Sequence, residues 1–182
     1  MWTPIGYYRK SIKRSIRSDA CLRKTAFCLV ACDGEIHEQE IGELKLINTN
    51  TPYFGEIDLE SELDSLIRDL SDRGTQAIRD LFSLFRNTKL SMVQELLLLE
   101  VSLRVINADQ RVDPNEVKFV KTMRLYLDVL DPLIVQRFGQ IPYLVGKGYQ
   151  SFKAGSETSI QDASWEMPSA EQLKIVSFED LK

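Results

Sequence analysis

Two ten-residue segments of this sequence match each other, and together they decide the fold. The first is Ala31-Cys32-Asp33-Gly34-Glu35-Ile36-His37-Glu38-Gln39-Glu40, and the second is Asn107-Ala108-Asp109-Gln110-Arg111-Val112-Asp113-Pro114-Asn115-Glu116. In both, an Asp follows a long apolar helical pattern, and a Glu lies seven residues later in the first turn of the next one. The copies are 76 residues apart, which indicates two related halves.

Apolar residues on both sides of these segments recur with the 3.6-residue period of an amphipathic helix. The pattern predicts seven helical stretches, which are 19–32, 37–47, 59–70, 77–85, 91–106, 113–130 and 131–138. The stretch 91–106 is apolar on nearly every side, as expected for a helix at the centre of a bundle. We therefore predict an all-α fold, a pseudo-two-fold bundle of about seven helices built from two helix-turn-helix repeats.

The doubled pattern of apolar helix, Ala-Asp-Gly-x-Ile-x-x-x-Glu and helix resembles the TerB-like family. This family includes the tellurite-resistance TerB proteins and a domain of the membrane-anchored co-chaperone DjlA. The likeness covers roughly residues 18–140, and its second copy departs from the family pattern at Gln110, where the family often has Gly. The resemblance implies a helical bundle whose two acidic turns lie on one surface.

In the family, that acidic surface is proposed to bind a divalent metal. The match carries this role to Asp33 and Glu40 in the first turn and to Asp109 and Glu116 in the second. The candidate ligands are completed by two further acids of the same turns, Glu35 and Asp113. Carboxylate oxygens suit hard cations such as calcium or magnesium, so a divalent cation is the expected cofactor.

The residue chemistry also allows a purely structural interpretation of the two turns. A standard EF-hand is excluded, because its first and third ligand positions would fall on Leu29 and Ala31 in the first copy. Glu at the third helical position and Asp113 before the helix are typical capping residues, and Gly34 is a typical helix terminator. Capping alone therefore accounts for the spacing.

Cysteine and histidine offer a second candidate metal site. Cys21, Cys28 and Cys32 share one helix face, and His37 follows across the turn, so Cys28, Cys32, His37 and a carboxylate could be arranged as zinc ligands. We favour a core role for the cysteines, because they coincide with the apolar stripe of their helix. A single histidine and the absence of a glycine-rich phosphate loop argue against an enzyme.

Charge is unevenly distributed along the 182 residues, whose net charge is −4. Residues 1–24 contain seven Lys and Arg against a single Asp, so the rest of the chain is strongly acidic. We predict a basic N-terminal arm (1–17), a helical domain (18–150), and a polar linker with a C-terminal tail (151–182). The arm could contact lipid, nucleic acid or an acidic protein, or it could stay solvated or fold onto this chain's own acidic surface.

The expected function is that of a non-enzymatic binding or adaptor protein with a protein partner, acting in a stress response or a multi-protein complex. The alternative is a structural helical interaction module without a metal site. Few cysteines and no secretory or membrane-spanning segment favour a cytoplasmic location, which includes peripheral contact with a membrane. The tail, around Leu173, Ile175 and Val176, is expected either to fold back onto the domain or to remain free.

Overall fold

The fold is that of a computed structural model, which describes residues 16–51, 54, 58–146, 149 and 174–176. Within these residues there are seven helices and two three-residue strands. The helices are α1 (Ile16–Val30), α2 (Glu38–Asn50), α3 (Leu59–Arg73), α4 (Thr75–Asn87), α5 (Met92–Val105), α6 (Pro114–Leu125) and α7 (Asp131–Phe138). The strands are β1 (Glu35–His37) and β2 (Lys174–Val176). The all-α prediction is confirmed.

Two helices, α1 and α5, form the centre of the bundle. Helix α1 packs against α5, α4 and α3, and α2 also packs against α5. The buried apolar side chains of α1 lie between Cys21 and Val30, and those of α5 lie between Leu98 and Val105 in its second half. The prediction that the stretch 91–106 is a core element is therefore confirmed.

Helix α6 joins the bundle through aromatic and sulfur contacts. The Phe119 ring lies 5.5 Å from the Phe82 ring of α4, and Phe82 also stacks on Tyr126 at 5.4 Å. On the other side, the Ser102 hydroxyl of α5 donates to the Met123 sulfur at 3.8 Å. The start of α6 lies near the residues that follow α1, since the charges of Asp113 and Glu116 raise the pKa of the Cys32 thiol.

The ends of the helices follow the local signals of the sequence. Helix α6 begins with the Asp113 side chain accepting the Asn115 N–H at 2.6 Å and with Pro114 in its first turn. Helix α3 ends at Gly74, whose φ of +51° lies in the left-handed region that favours glycine. Six of the seven helices are therefore found close to their predicted stretches, whereas α6 ends at Leu125, five residues before the predicted end, and Leu130 is exposed.

One feature of the fold was not predicted. Residues 174–176 of the tail pair in parallel with residues 35–37, in the register Glu35–Lys174, Ile36–Ile175 and His37–Val176. Of the two options for the tail, folding back is the one found for this segment. Residues 1–15, which make up most of the basic arm, lie outside the described residues.

Three buried charged side chains tie the second half of the bundle together. Glu95 and Glu100 lie on α5, where the Glu95 carboxylate accepts the Val129 N–H and Glu100 pairs with Arg137 at 2.8 Å. Arg124 of α6 is only 3% exposed and donates to three backbone carbonyls and to Asp131.

Among the described residues, no helix is long and apolar enough to cross a membrane.

Candidate functional site

The first acidic turn connects α1 to α2 and is closed by two carboxylates. The Asp33 Oδ1 atom accepts the Glu35 N–H at 2.9 Å, and the Glu40 Oε2 atom accepts the His37 N–H at 3.1 Å. Gly34 between them has a φ of +94°, which an L side chain rarely adopts. The turn is thus held by hydrogen bonds from its own backbone to its acidic side chains.

The second turn connects α5 to α6 and repeats this arrangement. The Asp109 Oδ1 atom accepts the Arg111 N–H at 2.9 Å, and the Glu116 Oε2 atom accepts the Asp113 N–H at 2.8 Å. Gln110 occupies the position of Gly34 and has a φ of +63°. The two turns are locally equivalent, while a two-fold relation between the complete halves stays a prediction.

This equivalence predicts that glycine is the better residue at position 110. A non-glycine residue in the left-handed region costs about 1 kcal/mol, and the Gln110 side chain is exposed, so its loss removes little packing. We expect Gln110→Gly to raise the free energy of unfolding by about 1 kcal/mol in urea denaturation. Gln140→Gly, at an exposed site where φ is not positive, is the control and is expected to be neutral or destabilising.

Glu40 and Glu116 are buried, each only 4% exposed, although both belong to the turns. The pKa of Glu40 is raised to about 9, chiefly by burial and also by the charges of Glu116, Asp33 and Asp109, against the lowering effect of the His37 N–H. Burial likewise raises the pKa of Glu116 to about 7, against the lowering effect of the Asp113 N–H. The fold therefore places two glutamates where their charged forms are disfavoured.

The two turns lie close enough for their carboxylates to act on each other. The charges of Asp33, Asp109 and Asp113 all raise the pKa of Glu116. The pKa of Asp33 is raised by its own burial and by the Asp113 charge, against the hydrogen bond from the Glu35 N–H. Five of the six predicted metal ligands thus act on one another across the two turns, and we call them the acidic cluster: Asp33, Glu40, Asp109, Asp113 and Glu116. The charge of Glu35 acts within its own turn, where it raises the pKa of Asp33.

The sixth predicted ligand, Glu35, lies at the rim of the cluster. Its side chain is 52% exposed, and its Oε2 atom lies 3.7 Å from the His37 Nε2 atom. His37 itself is 7% exposed, and its Nδ1 atom is buried without a hydrogen-bond partner.

The three cysteines are core residues. Cys21, Cys28 and Cys32 are all free thiols with at most 1% of their surface exposed. Burial raises the pKa of the Cys28 thiol to about 12, and burial together with the nearby Asp33 charge raises that of Cys32 well above its ordinary value. The core interpretation is confirmed, and thiolate ligation by Cys28 and Cys32 has no support in this arrangement.

The acidic cluster meets the chemical requirement of a hard cation but does not form a finished coordination shell. All five members offer carboxylate oxygens, the ligands that calcium and magnesium prefer. One oxygen of each of the five carboxylates already accepts a backbone N–H group. Within the described ranges, no three His, Cys, Asp or Glu side chains converge closely enough to hold a metal ion. A cation would have to draw in side chains from both turns, and water would complete its shell.

Comparisons of the chain with protein-family models, with curated proteins and with solved structures find no match. The resemblance to the TerB-like family therefore stays a prediction based on the two acidic turns. The argument for function depends on the geometry of the acidic cluster.

Proposed function

We propose that this chain is a non-enzymatic, TerB-like binding protein that takes up a divalent cation between its two acidic turns. The observation that carries the proposal is the approach of five carboxylates from both turns, two of them buried. Several acids that share one site disfavour each other's ionisation, and a divalent cation removes that penalty. Calcium, magnesium or a similar divalent cation suits oxygen ligands of this kind.

The aspartates and the glutamates of the acidic cluster would take different parts in cation binding. Asp33, Asp109 and Asp113 are only partly buried and each has one oxygen on a backbone N–H, which leaves the second oxygen for an entering cation. Glu40 and Glu116 lie deeper and keep one oxygen each on a backbone N–H. Cation uptake would require Glu40 and Glu116 to ionise, so protons leave as the cation enters.

A second function, that of a structural interaction module without metal, is favoured by the capping contacts. Glu40 and Glu116 both accept the N–H of the residue preceding their helix, as capping-box residues do. This module would use the helical surface alone to bind its protein partner. Cation binding requires the negative charge of Glu40 and Glu116, whereas the structural module requires only that their side chains accept the capping hydrogen bonds.

Replacing Glu40 and Glu116 together with Gln separates the two functions. Gln also serves in capping boxes, so the helix starts are retained while the charge is removed. In calorimetric titrations of the full chain with calcium, magnesium, manganese and zinc, we expect saturable binding of at least one cation. We expect the Glu40→Gln/Glu116→Gln variant to bind that cation at least tenfold more weakly.

The matched control is Glu62→Gln, which removes an exposed charge on α3, outside both turns. It is expected to bind the cation as the unaltered chain does. Unchanged affinity in the double variant, or the absence of saturable NMR shifts at Asp33 and Asp109 in the unaltered chain, would support the structural module instead.

We further propose a cytoplasmic adaptor role in a stress-response or multi-protein complex. The support is the helical fold and the charge separation between the basic arm and the acidic remainder of the chain. A protein partner fits this role, and the arm offers a second contact to an anionic surface such as lipid, nucleic acid or an acidic protein. Affinity purification of the tagged chain with and without chelator tests whether the partner depends on the cation.

A further inference from the structure

Strand β1 has two edges, and the acidic cluster uses only one of them. The N–H groups of Glu35 and His37 donate to the carboxylates of Asp33 and Glu40. Successive backbone amides of a strand point to opposite sides. The N–H and the carbonyl of Ile36 therefore face the opposite edge, which is where β2 lies.

The edge at Ile36 is held in place by parts of the chain other than β2. The Ile36 side chain is 1% exposed and belongs to the hydrophobic core. The backbone on either side is fixed by the two carboxylate contacts, and β1 also packs against α1 and α2. Residues 16–50 thus supply supports for this edge in addition to its pairing with β2.

Strand β2, which pairs with the Ile36 edge, is short and lies far along the chain from the helices. It pairs over three residues, and each net backbone hydrogen bond contributes only about 0.5–1.5 kcal/mol. The 24 residues 150–173 separate it from Tyr149. A connection of this length gives β2 an effective concentration of roughly millimolar order, so a separate peptide can compete with it.

We propose that the Ile36 edge is a docking site for an extended peptide, held in cis by residues 174–176 and taken in trans by a strand of a partner protein. An exposed strand edge is a template for adding a further strand, and backbone hydrogen bonds supply the affinity. The cis occupant gives the chemistry of the partner strand, which runs parallel to β1 with apolar β-branched residues such as Ile175 and Val176 at its centre. This docking site does not depend on a cation.

The test uses the full chain with Val176→Pro and a synthetic peptide of residues 170–180. In this parallel register, the Val176 N–H is the group that faces the Ile36 carbonyl, and proline lacks it. We expect the variant to bind the added peptide at least tenfold more tightly than the unaltered chain does. The NMR shifts should centre on Glu35, Ile36 and His37. Ser159→Pro, which leaves β2 intact, is the control and should behave as the unaltered chain.

Two backbone-methylated peptides make the test specific for strand pairing. A methyl group on the Val176 nitrogen should abolish binding, whereas one on the Ile175 nitrogen should be tolerated because that amide points away from β1. Equal binding of both methylated peptides would overturn the proposal. So would failure of the Val176→Pro variant to bind the unmodified peptide at millimolar concentration, or equal binding by the unaltered chain.

Discussion

Replacing Arg124 with Met is expected to lower the free energy of unfolding by about 3–5 kcal/mol, a large fraction of the stability of an ordinary domain. Arg124 is 3% exposed, and its guanidinium group is surrounded by acceptors. Nε donates to the Leu144 carbonyl at 3.1 Å, Nη1 to the Leu127 carbonyl at 3.1 Å, and Nη2 to the Val129 carbonyl at 2.8 Å. Methionine fills similar space but leaves all of these acceptors unpaired.

The ion pair of Arg124 increases the expected loss. Nη2 lies 2.9 Å from Asp131 Oδ1, and the other oxygen of Asp131 accepts the Gly146 N–H at 2.9 Å. The guanidinium also lies 5.1 Å from the centre of the Tyr149 ring. One side chain thus joins α6, α7 and the segment that follows α7, and removing it leaves a partly buried carboxylate without its counter-ion.

Urea denaturation followed by circular dichroism measures the effect, and Arg124→Lys adds a geometric test. Lysine keeps the charge, but its single ammonium group cannot bind three carbonyls and a carboxylate at once as the planar guanidinium of arginine does. We therefore expect Arg124→Lys to lose most of the stability that Arg124→Met loses. Lys121→Met on the exposed side of α6 is the control and should change stability by less than about 0.5 kcal/mol. A loss below about 1 kcal/mol for Arg124→Met would contradict the role assigned to this contact network.

Helix positions and turn geometry could be predicted because their causes are local. Asp113, Pro114 and Glu116 specify the start of α6 within four residues, and Gly34 specifies the end of the preceding helical segment. Four of the six acidic ligand candidates, Asp33, Glu40, Asp109 and Glu116, were likewise visible as a repeated spacing, whereas Glu35 and Asp113 have no acidic counterpart in the other copy. Their approach in space followed only from the resemblance, because it depends on how α1 packs against α5.

The features that were missed depend on contacts between distant parts of the chain. Arg124 lies four residues after Val120, on the buried stripe of α6, and an arginine on a core stripe was a signal of burial that the sequence offered. Its carbonyl partners could not be predicted, because they belong to irregular segments. The pairing of β1 with β2 joins residues more than 130 positions apart, and three residues are too few to show strand alternation.

The second large effect is a loss of stability as the pH rises from about 5 to 8. The pKa of Glu116 is about 7 and that of Glu40 about 9 in the folded chain, while an unfolded Glu has a pKa near 4.5. When the pH lies between the unfolded-state and the folded-state pKa of a glutamate, that glutamate is protonated in the folded chain and ionised in the unfolded chain. The linkage relation then requires the free energy of unfolding to fall with increasing pH.

The raised pKa of Glu116 alone corresponds to about 3 kcal/mol across this pH range, and Glu40 adds a contribution of the same sign. The double variant Glu40→Gln/Glu116→Gln should lose this dependence, because Gln does not titrate and its carbonyl oxygen can still accept the capping N–H. It should therefore be more stable than the unaltered chain at pH 8 and close to it at pH 5. Urea denaturation at both pH values measures the difference, and Glu62→Gln should show the dependence of the unaltered chain.

The same titration bears on the proposed cation, because a cation and protons compete for Glu40 and Glu116. A cation that binds the acidic cluster should raise the melting temperature more at pH 8, where fewer protons occupy the glutamates, than at pH 6. Calorimetric titrations in two buffers with different ionisation enthalpies should give different binding enthalpies, which shows that protons are released on binding. If the cation stabilises the chain equally at both pH values and releases no protons, it binds outside the acidic cluster. If stability depends on pH but no cation changes it, Glu40 and Glu116 act only as buried capping groups.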